Sequence, residues 1–336
     1  MMLPTDVPSL QADVVTTPPS EPFPFFIALL GPTAVGKSAV AVELAQVMEG
    51  EVVTLDSMQV YRRLDIGTAK PTLGEQKGIP HHLIDVVDPD GPFTAADYGR
   101  LARQVLKEIH HRGHLPLVVG GSGLYLRALC GEIFPGPSEA ASIRARLAEE
   151  VEKAGPELLH TRLRHLDPLA AARIHPRDVF RLIRALEIIE LTGQRVSDLW
   201  EVHRRKRTQP LTLLLGLRRE RTELYRRIND RVDRMLASGL IEEVQQLLET
   251  GYSSNLKPFR SHNYRHIVAF LLGHEGLEEA VRRTRQETRH YAKRQMTWFR
   301  REKEITWFDL TGRESGGVTE ALVQRIQKVR ERCGTV

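Results

Sequence analysis

Cysteine is scarce in this chain of 336 residues, which contains only Cys130 and Cys333. Two cysteines cannot build the disulfide framework of a small secreted domain, nor a zinc site made of four cysteines. The chain also lacks a run of about 18 apolar residues, so no segment is predicted to cross a bilayer as a helix. We therefore expect a cytoplasmic protein that works in a reducing compartment and does not enter a membrane.

Lysine and arginine are absent from residues 1–22, which are rich in proline, threonine and serine. A signal peptide needs a basic start and an apolar stretch, and a mitochondrial transit peptide needs arginine, so neither is predicted. We expect residues 1–22 to form a disordered leader. In the whole chain Lys and Arg outnumber Asp and Glu by 48 to 43. This net charge of +5 is compatible with a polyanionic partner but does not establish one.

Short apolar segments alternate with helical patterns along much of the chain. Strands are predicted at residues 25–30, 51–55, 115–119 and 211–217, and the clearest helical patterns cover 37–48 and 95–112. This alternation predicts an α/β fold, in which helices flank both faces of a parallel sheet. Such sheets bind ligands at the carboxyl ends of their strands.

The composition changes at residues 134–137, where Phe-Pro-Gly-Pro interrupts the alternation. The following residues, 138–207, are almost all helix formers and contain no convincing strand. We therefore predict an inserted all-helical domain at 138–207. The α/β core is then discontinuous, with parts at 23–137 and 208–312, and residues 313–336 form a helical tail.

A phosphate-binding loop is predicted at residues 31–38, which match the pattern G-x-x-x-x-G-K-[ST] between a strand and a helix. The loop consists of Gly31, Pro32, Thr33, Ala34, Val35, Gly36, Lys37 and Ser38. Its backbone amides would form an anion nest, Lys37 adds a positive charge, and the Ser38 hydroxyl can bind Mg²⁺. The motif therefore predicts a bound diphosphate or triphosphate with magnesium. It does not identify the group attached to the phosphates.

Two further polar side chains follow predicted strands. Asp56 ends the second strand, and from its position it is a general base, a residue near the magnesium ion, or a helix N-cap. Ser122 follows the third strand, where its hydroxyl either faces the ligand or caps the next helix. The sequence pattern alone leaves these alternatives open.

Arginines are concentrated on two of the later helices. Arg227 and Arg231 lie one turn apart, so they could reach a diphosphate from the side opposite the loop. The predicted helix 281–303 carries a stripe of cations with few acids beside it. This stripe is either a solvated face or a surface that contacts nucleic acid phosphates. Its members are Arg282, Arg285, Arg289, Lys293 and Arg300.

Several strings occur together in this chain. They include Gly-Pro-Thr-Ala-Val-Gly-Lys-Ser at 31–38, Asp-Ser-Met-Gln-Val-Tyr at 56–61 and Asp-Ile-Gly-Thr-Ala-Lys-Pro at 65–71. Others lie at 80–85, 120–125, 175–184 and 292–298. With these strings the chain resembles the tRNA dimethylallyltransferases, the adenosine-37 isopentenyltransferases of bacterial type, from about residue 23 to 308. The resemblance implies a P-loop NTPase-like core and a monomeric enzyme.

The resemblance also implies a reaction. The loop would hold the diphosphate of dimethylallyl diphosphate instead of ATP, and Asp56 would be the general base for the adenine N6 amino group. Ser122 and Arg231 would act on the diphosphate side together with the loop. Mg²⁺ is the implied cofactor, with Ser38 as its ligand and Thr33 as a weaker one.

The second implied partner is the anticodon stem-loop of tRNAs that read codons beginning with U, whose adenine would flip out of its stack. The implied tRNA-contacting residues lie in three segments and at two single positions. They are Asp56, Ser57, Met58, Gln59, Ser122, Arg144, Phe180, Arg181, Leu182, Ile183, Arg184, Arg260, Ser261, His262, Asn263, Tyr264 and Arg265.

The chain departs from the family pattern at three positions. Two of them are among the implied tRNA-contacting residues, and the third follows residue 265. Ser122 stands where the family usually has threonine, Asn263 where it has glycine, and His266 where it has glutamine. Because asparagine tolerates a left-handed backbone, we expect the turn at Asn263 to persist. A P-loop kinase of a small metabolite is the alternative from the same fold. A P-loop regulator without chemistry is the alternative from another class.

Overall fold

The structure is a computed structural model that describes residues 23–134, 136–137, 140–206 and 210–333. The predicted leader, residues 1–22, lies outside these ranges. So do the predicted domain-boundary residues 138–139 and 207–209 and the last three residues of the predicted tail.

Six parallel strands form one sheet within the described residues, in the order β3-β2-β4-β1-β5-β6. The predicted α/β fold and its four buried strands are confirmed to within one residue at each end. Two short strands at the sheet edges were not predicted, because they are partly exposed and too short to give an apolar run. The strands are β1 Phe26–Leu30, β2 Gly50–Leu55, β3 His81–His82, β4 Leu115–Gly120, β5 Thr212–Arg218 and β6 Thr306–Asp309.

Helices cover both faces of this sheet. The helix predicted at 37–48 is confirmed, and that predicted at 95–112 ends one residue earlier. In order the helices are α1 Lys37–Met48, α2 Leu73–Gln76, α3 Ala95–His111, α4 Gly123–Leu129, α5 Ala141–Ala154, α6 Pro156–Leu166, α7 Pro168–Arg173, α8 Val179–Thr192, α9 Val196–Lys206, α10 Arg221–Ala237, α11 Leu240–Glu249, α12 Arg265–Leu271, α13 Leu277–Phe299 and α14 Gly316–Cys333. Of the helices in the described ranges, none is long and apolar enough to span a membrane.

The central strands are buried on both faces, which explains their continuous apolar sequences. In β1, Phe26, Ala28 and Leu30 belong to one apolar cluster, which includes α3 and α4. Ile27 and Leu29 belong to the other, with α1 and α14. The predicted C-terminal tail is therefore part of the core, because α14 packs on α1 and covers one face of the sheet.

Helices α5 to α9 have an apolar cluster of their own. The cluster includes Leu147, Leu163, Leu182 and Leu186, all fully buried. All of its members lie between residues 134 and 200, and it shares none with the two clusters beside the sheet.

Two carboxylates are fully buried in this inserted unit, Asp167 and Glu187, and the second joins two of its helices. Glu187 on α8 accepts hydrogen bonds from Arg144 on α5 at 3.0 and 3.1 Å and from Arg184, one turn before it, at 2.6 Å. The backbone N–H of Ala140 donates to it at 2.8 Å. Burial opposes its ionisation, but these donors outweigh burial and hold the pKa of Glu187 below its usual value. The carboxylate therefore ties the first helix of the unit to α8.

Replacing Glu187 with alanine should destabilise the protein by roughly 3 kcal/mol, because both arginines lose the buried carboxylate that balances their charge. The free energy of unfolding in urea measures this loss. Glu201→Ala in the same unit is the matched control, since Glu201 pairs with two exposed arginines and should cost less than about 1 kcal/mol. Equal losses for both variants would show that the buried carboxylate has no special part in the unit.

Candidate functional site

A cleft opens at the carboxyl ends of β1, β2 and β4, the edge at which parallel sheets bind ligands. The phosphate-binding loop follows β1, Asp56 follows β2, and the Gly-Gly pair at 120–121 closes β4. Helices α10 and α13 and the segment before α12 form the other walls. The lining comprises Thr33, Lys37, Ser38, Asp56, Met58, Gln59, Gly67, Thr68, Val119, Gly120, Gly121, Arg231, Ser261, His262, Asn263, Tyr264, Tyr291 and Gln295.

The backbone of the phosphate-binding loop requires glycine at two of its positions. Gly31 has φ of 152°, and a Cβ built there would lie 2.6 Å from the Leu217 carbonyl oxygen. Gly36 has φ of 113° at the N-cap position of α1, a conformation that side chains with a Cβ rarely adopt. These constraints leave the amino end of α1 open to an anion, as the sequence motif predicts.

Lys37 is the charged side chain of this loop. Its Nζ donates to the carbonyl oxygens of Gly31 and Pro32, at 3.0 and 2.8 Å. Burial, followed by repulsion from Arg231, lowers the pKa of Lys37 to about 7, and attraction to Asp56 opposes this shift. Near neutral pH the side chain is thus only partly charged without an anion. A bound diphosphate would favour its charged form.

The residues around Ser38 fit a magnesium ion that is held together with a substrate diphosphate. Ser38 is exposed at the start of α1 beside Lys37, and the Thr33 side chain lies in the same cleft. In the described part of the chain no cluster of three acidic, histidine or cysteine side chains could hold a metal alone. Mg²⁺ commonly binds with one or two protein oxygens, substrate phosphate oxygens and water.

Asp56 does not cap a helix, so the N-cap alternative is wrong. Its Oδ1 accepts a hydrogen bond from the backbone N–H of Met58 at 2.8 Å, and turns follow it in the chain. This bond fixes the orientation of the carboxylate. Within the described residues no hydrogen bond occupies Oδ2, which leaves one carboxylate oxygen available in the cleft.

Arg227 and Arg231 occupy different places, although they are one turn apart on α10. Arg231 lines the cleft, where burial lowers the pKa of its guanidinium and attraction to Asp56 opposes that shift. Arg227 instead donates from Nε to the Ala34 carbonyl oxygen at 3.0 Å. Arg231 can therefore reach a bound anion, whereas Arg227 supports the loop from outside.

Ser122 stands at the N-cap position of α4 but its hydroxyl makes no capping hydrogen bond. Its backbone N–H donates to the Leu55 carbonyl oxygen at 3.2 Å. The preceding residues, Gly120 and Gly121, line the cleft, whereas Ser122 is outside the lining. A role for its hydroxyl remains a prediction.

Residues 260–265 were predicted to contact tRNA, and four of them, 261–264, line the cleft. The expected turn at Asn263 is present, since residues 262–264 form a turn in which the Tyr264 N–H donates to the Ser261 carbonyl oxygen at 3.2 Å, but the backbone of Asn263 is not left-handed. Its side chain makes two contacts instead, since Nδ2 donates to the Gly67 carbonyl oxygen at 2.6 Å and Oδ1 accepts from the Thr288 hydroxyl at 3.1 Å. Asn263 thus ties this segment to the loop at 65–68 and to α13.

The remaining positions of this segment lie at its edges. Arg260 and Arg265 are exposed, and Arg265 forms an ion pair with Glu287. His266 is buried, and its Nδ1 lies 2.8 Å from a carboxylate oxygen of Glu275. The histidine that replaces the family's glutamine therefore has a structural contact between α12 and the loop before α13.

Glu243 organises the wall opposite the phosphate-binding loop, and sequence reasoning missed it. One carboxylate oxygen accepts the N–H groups of Asp65 and Ile66, both at 2.7 Å. The other accepts from Gly67 N–H at 3.2 Å and from the Tyr264 hydroxyl at 2.7 Å. A single side chain on α11 thereby fixes the loop that begins at residue 65.

In the inserted unit, the predicted tRNA-contacting residues divide into exposed and buried ones. Phe180 is 75% exposed, and Arg181 beside it is exposed and paired with Asp178. Leu182 is fully buried in the apolar cluster, and Ile183 packs against that cluster. The side chain of Leu182 therefore cannot contact a partner in this conformation. Arg144 and Arg184 are partly buried, and both donate hydrogen bonds to Glu187.

No role was predicted for Gln295, although it lies in segment 292–298, which contributes to the family resemblance. It is buried on α13, where its Oε1 accepts from the Thr33 backbone N–H at 2.9 Å. Its Nε2 donates to the Gly121 carbonyl oxygen at 3.0 Å. A Cβ at Gly121 would lie 2.0 Å from that nitrogen, which explains the glycine. One carboxamide thus joins the phosphate-binding loop to the end of β4.

Tyr291, one turn before Gln295, brings an aromatic ring into the cleft. It stacks on His262 with ring centroids 4.4 Å apart and an interplanar angle of 24°. Burial, with smaller repulsions from Arg231 and Arg294, lowers the pKa of His262 to about 3. The imidazole is therefore neutral at physiological pH. In the sequence, the spacing of four residues on a predicted helix indicates that Tyr291 and Gln295 lie on the same face.

Replacing Gln295 with glutamate should weaken binding of inorganic diphosphate at least about tenfold, because a carboxylate cannot donate to Gly121 and adds negative charge beside the loop. Calorimetric titration in the presence of magnesium measures this affinity. Gln286→Glu on the same helix is the control, since the side chain of Gln286 accepts a hydrogen bond from Arg282 on that helix and lies outside the cleft lining. Parent-like binding by Gln295→Glu would exclude a role for the carboxamide bridge.

The family model described as IPP transferase matches residues 59–302 of this chain. The chain is 49% identical over 286 residues to tRNA dimethylallyltransferase 1 of Pelobacter propionicus, covering 85% of this chain and 93% of that protein. It is also 49% identical over 283 residues to the tRNA dimethylallyltransferase of Geobacter sulfurreducens, covering 84% and 91%.

Solved structures give the same result. The full-length tRNA isopentenylpyrophosphate transferase of Bacillus halodurans aligns with a TM-score of 0.69 and 41% identity, covering 91% of this chain and 97% of that one. A eukaryotic dimethylallyltransferase acting on tRNA aligns with a TM-score of 0.73 and 30% identity, covering 85% and 74%. The likeness therefore includes both the sheet and the inserted helices.

Proposed function

Because this chain belongs to the IPP transferase family of tRNA dimethylallyltransferases, we propose that it transfers a dimethylallyl group from dimethylallyl diphosphate to N6 of adenosine 37. The acceptors are tRNAs that read codons beginning with U, and the second product is diphosphate. The observation that carries this proposal is that one cleft contains both a phosphate-binding loop and the oriented carboxylate of Asp56.

The donor diphosphate binds in the nest formed by the loop amides, with Lys37 and Arg231 as its cations. Both side chains are partly buried, and Asp56 is the carboxylate that attracts both, with Glu75 as a smaller attraction on Arg231, so the cleft favours an anion. A diphosphate supplies the missing negative charge. Thr33 and Ser38 belong to the same side of the site.

Transfer is a substitution at C1 of the dimethylallyl group. The N6 nitrogen forms a bond to C1, the bond from C1 to the diphosphate oxygen breaks, and its electron pair leaves with the diphosphate. Asp56 accepts the proton from N6 through its free carboxylate oxygen. Lys37, Arg231 and the loop amides stabilise the negative charge that grows on the leaving diphosphate.

Mg²⁺, held by the Ser38 hydroxyl and more weakly at Thr33, would neutralise charge on the departing diphosphate. We also place Ser122, close to the end of β4, on the diphosphate side of the site. Its contribution would be to hold the diphosphate in place as a hydrogen-bond donor.

The tRNA is proposed to contact the protein at residues 56–59, at residues 180–184 except the buried Leu182, at residues 260–265 and at Arg144. Phe180 offers an exposed ring on which a base can stack. Leu182 contributes as a core residue of the helix that presents Phe180 and Arg181. The flipped adenine enters the cleft, where the stacked rings of His262 and Tyr291 form one wall.

Replacing Asp56 with asparagine should reduce prenyl transfer by about 10²- to 10⁴-fold, because an amide of the same shape cannot accept the N6 proton. Both substrates should still bind, since the amide oxygen can still accept from Met58. Single-turnover transfer to tRNA, together with separate binding measurements, tests this. Turnover within threefold of the parent would make Asp56 structural and require another base.

The donor should stabilise the protein against thermal unfolding, in the presence of magnesium, at concentrations where ATP gives little shift. The loop and Lys37 can hold the phosphates of either ligand, but ATP also needs room for its ribose and purine. Lys37→Ala should abolish the protection, because it removes the charge that compensates the diphosphate.

Lys107→Ala, at a partly exposed α3 position outside the cleft lining, is the control and should keep full protection. Protection by ATP that equals or exceeds protection by dimethylallyl diphosphate would favour the P-loop kinase instead.

A further inference from the structure

Arg219, between β5 and α10, is a buried arginine outside the lining of the cleft. Its side chain is only 3% exposed, and its guanidinium binds groups from three parts of the chain. Nε donates to the Val35 carbonyl oxygen of the phosphate-binding loop at 2.9 Å. The terminal nitrogens donate to the carbonyl oxygens of Leu310 and Arg313, the second at 2.9 Å, and to the Glu223 carboxylate. One side chain thus joins the loop to a segment near the carboxyl end of the chain.

A second arginine binds the same part of the loop from outside the cleft. Arg227 donates to the Ala34 carbonyl oxygen, next to the carbonyl of Val35 that Arg219 holds. Neither arginine lines the cleft, so both carbonyl oxygens are committed to donors outside it. A carbonyl oxygen facing a bound diphosphate would repel it, because both carry negative charge. The two arginines therefore favour a loop conformation that accepts an anion.

This part of the loop needs support, because its backbone is in an unfavourable conformation. Ala34 has φ of 62°, in the left-handed region that residues with a Cβ rarely adopt. Such a conformation persists only where the surrounding structure fixes it. The hydrogen bonds from Arg227 and Arg219 fix the backbone directly after the strained residue. Loss of either bond removes part of what holds the loop in this form.

The segment on the other side of Arg219 is fixed by the same group of charges. Segment 310–313 lies between β6 and α14, and its Gly312 N–H donates to the Glu223 carboxylate at 2.9 Å. This bond, with the attraction of Arg219, holds the pKa of Glu223 below its usual value although burial opposes the shift. The ionised carboxylate therefore balances the charge of Arg219 and anchors the segment that Arg219 binds.

Helix α14, which follows this segment, is also attached to the phosphate site. It packs on α1, the helix into which the phosphate-binding loop leads. The hydroxyl of Thr319 donates to Glu43 on α1 at 2.6 Å, and the hydroxyl of Ser315 donates to the same carboxylate. The carboxyl-terminal part of the chain thus contacts both the loop, through Arg219, and the helix after it.

We propose that Arg219 is a positioning residue for the donor, because it fixes the phosphate-binding loop on segment 310–313 in the conformation that takes a diphosphate. This inference rests on the proposed function and deepens it, since it gives the carboxyl-terminal part of the chain a part in donor binding. Arg219 does not line the cleft, so its effect on the donor passes through the Val35 peptide.

The test measures binding of inorganic diphosphate in the presence of magnesium by calorimetric titration. Arg219→Gln should raise the Kd about five- to twentyfold, because the loop loses a charged hydrogen-bond donor. Arg218→Gln is the matched control, since it removes the same charge from the adjacent position. Arg218 is exposed and pairs with Asp309 on β6 at 3.1 Å. Its replacement should leave the Kd within about twofold of the parent.

Arg219→Lys separates geometry from charge. The ammonium group keeps the positive charge but lacks the planar fork of donors that reaches carbonyl oxygens on both sides. The Kd for diphosphate should therefore remain raised at least about threefold. Parent-like binding by this variant would overturn the positioning role, because charge alone would then be sufficient. If Arg219→Gln does not fold, the lysine variant is compared with Arg218→Gln instead.

Steady-state transfer gives a second readout that a purely structural residue would not change. In Arg219→Gln the KM for dimethylallyl diphosphate should rise together with the diphosphate Kd, whereas the KM for tRNA should stay within about twofold of the parent. A lower free energy of unfolding in urea with an unchanged diphosphate Kd would make Arg219 a residue of the core only and refute the proposal. Equal rises in both KM values would also refute it, because the whole cleft would then be distorted.

Failure of the proposed function would give a different result. The parent protein would then bind diphosphate but transfer no prenyl group to tRNA, and the comparison of the Arg219 and Arg218 variants by calorimetry would still decide whether Arg219 supports the loop. A parent that transfers normally, while Arg219→Gln binds diphosphate unchanged, would refute only the positioning role.

Discussion

The excess of positive charge in the cleft is the constraint on which the rest of the site depends. Lys37 and Arg231 repel each other within a partly desolvated space, and Asp56 is the carboxylate that interacts with both. Burial of two like charges is unfavourable unless an anion is present. The glycines of the phosphate-binding loop supply amide donors for such an anion. The cleft is therefore built for a ligand that carries negative charge, and the uncommitted oxygen of Asp56 gives it a base.

Long-range hydrogen bonds hold this cleft together from the side away from the sheet. Gln295 joins the loop after β1 to the end of β4, and Asn263 joins α13 to the loop at 65–68 through Thr288 and Gly67. Glu243 fixes that same loop from α11. The three side chains order walls that come from distant parts of the sequence. Correct alignment of the donor with the adenine depends on them, because misplacement of reacting groups by about 1 Å can cost about 10²-fold in rate.

Local patterns were sufficient to predict the buried strands and the phosphate-binding loop, because each depends on residues adjacent in sequence. The edge strands β3 and β6 were not predictable in this way, since they are short and partly exposed. The bridge from Gln295 to Thr33 joins residues 262 positions apart, which no periodicity reports. The turn predicted at Asn263 is present, but its backbone is not left-handed, and the contacts of its side chain with Gly67 and Thr288 were not predicted. The contacts of Arg144 and Arg184 were not predictable either. Both arginines bind the buried Glu187, which lies 43 positions after Arg144.

The most direct test of the proposed function is whether carbon from the donor reaches tRNA. Protein, magnesium, bulk tRNA and dimethylallyl diphosphate labelled in its prenyl group are incubated, and the tRNA is digested to nucleosides and separated by chromatography. We predict label in N6-isopentenyladenosine, with one diphosphate released for each labelled nucleoside. Absence of label in the RNA, together with ATP consumption stimulated by a small hydroxylated metabolite, would contradict it.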